Sequence, residues 1–258
     1  MNVFDLLSLE GKIILVTGGA GRYGKCIAEG LAEAGATVII ASRHLPLITE
    51  VSEQFRKIDL DVHAIQVDQA NTDSVISLKQ KIKQKFDVLD GFVNNAVARP
   101  MKGYYAPIDQ FEESMHINAT GMMFILREMS DLIIESGGGS VVNIASMMGL
   151  YGPDFSNYDG TTMGDLPPDY FFHNAGLINL NRYMAKKMAG RNIRFNCISP
   201  GGLFDNQPRQ FVQNYNKKVP LGRMAYSDDI KGLAVLLCSQ AGAYINGENI
   251  LMDGGLNA

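Results

Sequence analysis

Gly18, Gly21 and Gly24, spaced three apart, follow directly on the apolar run Ile14-Leu15-Val16-Thr17. Glycines in that pattern can do a specific piece of chemistry. Gly18 takes the tight turn after a strand, Gly21 removes a side chain where backbone must approach a phosphate, and Gly24 lets the next helix lie close to the sheet. The turn runs on through Arg22 and Tyr23, and the helix that follows from Gly24 then points free N–H groups and its positive end at the anion. A glycine-rich strand-to-helix turn can be purely structural. Here the strand before it, the amphipathic run Gly24 to Ala34, the stop at Gly35 and a second strand Thr37 to Ala41 favour a dinucleotide pyrophosphate site.

The elements around this turn read as a doubly wound α/β sandwich with one parallel sheet. Strands are expected at Ile13 to Thr17, Thr37 to Ala41, His63 to Val67, Gly91 to Asn94, Ser140 to Ala145, Arg194 to Ile198 and Asn249 to Met252. Helices are expected at Gly24 to Ala34, Pro46 to Lys57, Thr72 to Lys85, Ile108 to Ser136, Tyr170 to Ala189 and Ser227 to Cys238, the last capped by Ser227. Right-handed crossovers place them on both faces. With 258 residues, 46% of them hydrophobic, the chain is read as a single domain, 1–258. A long unpatterned loop, 149–168, leaves the carboxyl end of a central strand and reads as a functional insertion, the alternative being an inert surface excursion.

The net charge of −4 and the lack of basic runs argue against a nucleic-acid partner. No apolar stretch is long enough to span a membrane and no leader pattern opens the chain, so a cytoplasmic protein is expected. Cys26, Cys197 and Cys238 sit apart in apolar contexts, and the four histidines show no ligand spacing. Buried thiols are expected, with neither disulfides nor a metal site.

The ordered set of motifs resembles the classical short-chain dehydrogenase/reductase family over nearly the whole chain. It comprises Thr17 to Gly24, Asp68, Asn94-Asn95-Ala96, Asn118, Asn143 to Ser146, Tyr170, Ser199-Pro200-Gly201 and Gly247 to Gly255. The resemblance implies a tyrosine acid or base, a serine that holds the substrate oxygen, and an asparagine that holds a water in the proton relay. By position these are Tyr170, Ser146 and Asn118. Hydride transfer to a carbonyl leaves charge on oxygen, which needs a donor and a proton, and these side chains can supply both. Tyr158 competes with Tyr170 for the spacing from Ser146. The run Ala175 to Ala185 is in register with Tyr170, which is therefore favoured.

One position departs from the family. Its lysine, four residues after the tyrosine, is Asn174 here, which carries no charge with which to favour tyrosinate. Lys186 and Lys187 lie about three turns further along the helix, and His173 is expected on a different face.

Cofactor choice rests on Ala41-Ser42-Arg43-His44. Ser42 and Arg43 suit a 2′-phosphate, with Arg22 approaching it too, so NADP is favoured over NAD. Arg43 as a solvated surface charge is the alternative. Asp68 is expected to accept from the adenine amino group, and Asn95, Ala96, Pro200 and Gly201 to line the cofactor site. The segment 202–220 is the expected substrate lid, with Asp205, Asn206 and Gln207 reaching a hydroxylated ligand or else capping the lid helix.

Loop, lid and Pro220 to Met224 together resemble the subgroup found in bacterial surface-sugar and flagellin-modification pathways. That implies a polar, sugar-like carbonyl or alcohol substrate and, from the family, a homotetramer. Two readings stand beside a redox enzyme. One is a dinucleotide-binding relative with little turnover, acting as sensor or partner subunit. The other is an epimerase or dehydratase that recycles its dinucleotide.

Overall fold

Alternation along the strands sends neighbouring side chains into two separate cores, which is why both faces of the sheet need helices. Leu15, Ile39, Phe92, Val141 and Phe195 enter one core, while Ile14, Val16, Val38, Ile40, Val93, Val142 and Ile198 enter the other. The computed structural model describes residues 2–258. Its strands are β1 (Ile13–Thr17), β2 (Thr37–Ser42), β3 (Val62–Gln66), β4 (Gly91–Asn94), β5 (Gly139–Ile144), β6 (Ile193–Pro200) and β7 (Asn249–Met252). They form one parallel sheet in the order β3-β2-β1-β4-β5-β6-β7. Strand order reverses between β1 and β4, so a crevice opens there at the carboxyl ends.

After α1 (Val3–Leu7), the helices α2 (Arg22–Glu33) and α3 (Leu45–Arg56) cover one face of the sheet. On the other face lie α4 (Thr72–Phe86), α5 (Ile108–Met115), α6 (Met122–Glu135) and α7 (Pro168–Lys187). The last helices are α8 (Arg209–Asn216), after β6, and α9 (Lys231–Cys238), which packs beside α2. A ladder of buried amides sets α7 against the sheet. Asn94 Nδ2 donates to Asn143 Oδ1 (2.9 Å), Asn143 Nδ2 to Asn181 Oδ1 (3.1 Å), and Asn181 Nδ2 to the Phe195 and Glu248 carbonyls (both 3.3 Å).

Two helix expectations are corrected. The helix read as Ile108 to Ser136 is divided by a π-helical turn, His116–Gly121. Gly121 has no side chain there, and a Cβ would meet the Gln69 carbonyl oxygen at 2.3 Å. Ser227 does not cap its helix. It is the first residue of a 3₁₀ turn, Ser227–Ile230, where Tyr226 N–H donates to Asp229 Oδ2 (2.8 Å).

Candidate active site

Backbone builds the dinucleotide end of the crevice. Gly18 has φ +65°, and a Cβ on Gly24 would stand 2.1 Å from the Gly18 carbonyl oxygen. Only glycines let α2 start this close to β1. The first α2 bond runs from Lys25 N–H to the Gly21 carbonyl (2.7 Å), so the N–H groups before it have no acceptor within the helix. Asn95 fixes the turn by donating Nδ2 to the carbonyls of Thr17 (3.0 Å) and Gly18 (3.2 Å), and Thr17 Oγ1 accepts from the Asn95 and Ala96 amides. Gly18, Gly21, Arg22, Tyr23, Gly24, Asn95, Ala96, Pro200 and Gly201 all line one cavity of about 850 Å³. Its size and its amide-lined, side-chain-free floor fit a dinucleotide.

Other expected cofactor residues fall outside the cavity wall. Ser42 and the exposed Arg43 end β2, and Arg43 has no carboxylate partner among the described residues. Asp68 Oδ1 accepts from the Ala70 amide (3.0 Å) and stands in a turn beyond β3. Arg22 lines the cavity, and its guanidinium pairs with Asp205. Burial raises the Tyr23 phenol, whose oxygen is without a partner among the described residues.

Ser146, Tyr170, Asn118 and Asn174 line the same cavity. Ser146 follows β5, is 6% exposed, and accepts from the Met148 amide (3.2 Å). Its own proton has no acceptor among the described residues. Tyr170 lies in the first turn of α7, half-buried, and its hydroxyl has no partner among the described residues. Asn174 Nδ2 donates to the Tyr170 carbonyl (2.7 Å), so the amide folds back on its own helix. The expectation that His173 points to a different face is overturned. Its ring meets that of Tyr170 edge-on at 5.4 Å and lines the cavity, since residues three apart share a helix face. Burial lowers the His173 imidazole to about 4.

Asn118 is more committed than expected of a group that holds a water. Its Nδ2 donates to the Ala98 carbonyl and its Oδ1 accepts from the Ala98 amide, both at 2.9 Å. It therefore clamps the loop after β4. That loop carries Arg99, a cavity residue overlooked in the sequence, whose guanidinium carbon lies 4.8 Å from the Tyr170 ring centroid. The available signal was a lone arginine just past the carboxyl end of β4.

The stretch 149–168 is not an inert excursion. Its 3₁₀ turn Phe155–Tyr158 packs on α8, and Lys218 Nζ ties it down through Asp154 Oδ2 (2.6 Å), Ser156 Oγ (2.6 Å) and Asn157 Oδ1 (2.8 Å). Tyr158 packs tilted against Phe211 (centroids 5.1 Å apart) and also lines the cavity, so both candidate tyrosines reach it. Gln207 is spent internally, accepting from the Asp205 amide and donating to the Leu203 carbonyl, and Asp205 pairs with Arg22. Neither is free for a ligand. Outside the cavity, Cys26, Glu29 and Asp228 bring ligand-type atoms within 4.8 Å of one another, and Lys231 Nζ already sits 2.7 Å from Glu29.

A glycine-cradled crevice joined to a serine and a tyrosine is the arrangement of a nucleotide-dependent oxidoreductase. The family model described as enoyl-(acyl carrier protein) reductase matches residues 23–257, and the chain belongs to the classical short-chain dehydrogenase/reductase family. It is 29% identical over 256 residues to post-translational flagellin modification protein A of Campylobacter coli, covering 96% of this chain and 98% of that one. It is 28% identical over 262 residues to a 2-dehydro-3-deoxy-D-gluconate 5-dehydrogenase of Pseudoalteromonas atlantica, covering 98% of each. The Pseudomonas aeruginosa RhlG/NADP active-site complex superposes with a TM-score of 0.86 at 29% identity, covering all of both chains. No described helix is long and apolar enough to cross a membrane.

Proposed function

We propose that this enzyme interconverts a secondary alcohol and a ketone on a polar, sugar-like substrate, with NADP as cofactor. The observation that carries the proposal is a single cavity shared by the Gly18–Gly24 cradle, Ser146 and Tyr170. The bound nicotinamide supplies or takes the hydride. Ser146 has an uncommitted proton with which to hold the substrate oxygen, and Tyr170 Oη delivers the proton to that oxygen or removes it. Tyr170 is preferred to Tyr158 because it opens the helix that carries Asn174 and the run Ala175 to Ala185, whereas Tyr158 is packed against α8. Arg43, exposed and unpaired at the end of β2, is the cation for a 2′-phosphate, with Ser42 as a hydrogen-bonding partner. The similarity to a keto-sugar-acid dehydrogenase and to a flagellin modification protein supports the substrate class. Residues 202–220 serve as the lid, and the assembly is a cytoplasmic homotetramer, which sedimentation tests.

Asn174 favours a second reading, in which the protein binds dinucleotide with little turnover. Assay of NADPH oxidation across a panel of keto-sugars and keto-acids separates the two. Turnover by the wild type that vanishes in Tyr170→Phe supports the enzyme. An inert wild type that gains activity as Asn174→Lys supports the binding relative, and product without net cofactor consumption points instead to epimerisation or dehydration.

A further inference from the structure

Position 174 offers no charge to the tyrosine's end of α7, and nothing nearby on that helix replaces it. Asn174 gives its amide to a backbone carbonyl, and His173 is neutral at physiological pH. A positive group arrives instead from the β4 loop. Arg99 stacks on the Tyr170 ring at 4.8 Å and has no carboxylate partner among the described residues. Its position is held from below by a buried chain of hydrogen bonds. Asp169 Oδ2 accepts from Ser114 Oγ (2.5 Å), Ser114 Oγ accepts from Asn118 Nδ2 (3.0 Å), and Asn118 grips Ala98 in both directions. Ala98 and Asp169, the two ends of that chain, immediately precede Arg99 and Tyr170.

Resting on the assignment of Tyr170 as the proton donor, we propose that Arg99 is a positioning residue that supplies, from a different element, the positive charge beside the phenol that residue 174 lacks. A guanidinium over an aromatic face is attracted by the neutral ring and more strongly by a phenolate, so it favours the form in which the proton has left. The other groups around the ring do not provide this. On α7, His173 is uncharged and Asp169 is a carboxylate, which acts in the opposite sense. From α2 and α8, the Tyr23 and Tyr215 phenols are both raised by burial and stay protonated. Ser146 and Asn118 carry no charge. Of the remaining charged groups lining the cavity, Arg22 is paired with Asp205 and Asp154 with Lys218. Because Arg99 is exposed, solvent screens its charge, so the effect is smaller than a buried cation would give.

The test compares wild type, Arg99→Gln, Arg99→Lys, Tyr170→Phe and the double variant Arg99→Gln/Asn174→Lys. Turnover is followed against pH, and tyrosinate absorbance is titrated without substrate, with Tyr170→Phe marking which of the ten tyrosines is read. In Arg99→Gln the pH–rate midpoint and the Tyr170-dependent absorbance step are expected to move alkaline by about half to one unit. Neutral-pH kcat then falls about three- to tenfold with KM nearly unchanged, Arg99→Lys retains part of the effect, and the double variant recovers it. A rise in KM alone with both midpoints fixed overturns the proposal and makes Arg99 a substrate anchor. An unmoved absorbance step also overturns it, even in a protein with no detectable turnover. Retention of turnover in Tyr170→Phe is a separate failure, that of the functional assignment itself.

Discussion

At the dinucleotide end of the cavity, close approach is made by main chain. Gly18, Gly21 and Gly24 lie within one strand-to-helix turn, and Asn95 and Thr17 lock it with side-chain bonds to backbone. The proposed reacting end is assembled from side chains on separate elements: Ser146 after β5, Tyr170 on α7, Asn118 in the π turn, and Arg99 after β4. A main-chain site has no substitute for a missing glycine, because the constraint is the absence of a Cβ. A side-chain site can lose one member, as at Asn174, and draw an equivalent charge from a neighbouring loop.

Substitutions at the two ends should separate these properties. The largest effect is expected for Tyr170→Phe, with a loss of about a thousandfold in kcat while NADPH affinity, read by titration of cofactor fluorescence, stays within about twofold. Comparable losses in both would break the division between the ends. Gly24→Val should do the reverse, weakening dinucleotide binding by about a hundredfold and lowering the melting temperature, because its Cβ would overlap the Gly18 carbonyl. Unimpaired cofactor binding in that variant would remove the steric account.

A smaller effect concerns pH. Folded His173 titrates at about 4, below its unfolded value of 6.5, so between those limits the unfolded chain takes up a proton that the folded chain refuses. Its share of stability is therefore complete above pH 6.5 and declines as pH falls to about 4, by about 3 kcal/mol at most. Urea unfolding at pH 7 and pH 4.5 should show that difference shrink in His173→Leu. The smallest effect is assigned to Arg43→Asp, which should move the NADP-to-NAD preference in kcat/KM by about tenfold, since one exposed charge-assisted contact is at stake. An unchanged ratio would leave Arg43 as a solvated surface charge.

The sheet and the glycine turn were legible because both are local. Short continuous apolar runs and glycine spacing are written in consecutive residues, and β1, β4 and β7 lie where the pattern puts them. The break at His116–Gly121 was hidden, since it depends on Asn118 meeting Ala98 and on Gly121 meeting Gln69, contacts between segments far apart in the chain. His173 was misplaced for a local reason, an overlooked i, i+3 relation to Tyr170. Arg99 and the Arg22–Asp205 pair were out of reach for the opposite reason. Each is defined by a partner that only the folded chain supplies.

That last pair joins the start of α2, where Arg22 lines the cavity, to the segment after β6. Both side chains are partly open to water, so dissolved ions compete for them and weaken the link as their concentration rises. A link of this kind at a cavity residue is graded by ionic strength. Added salt should hasten cofactor exchange in the wild type and leave an Asp205→Asn variant almost indifferent.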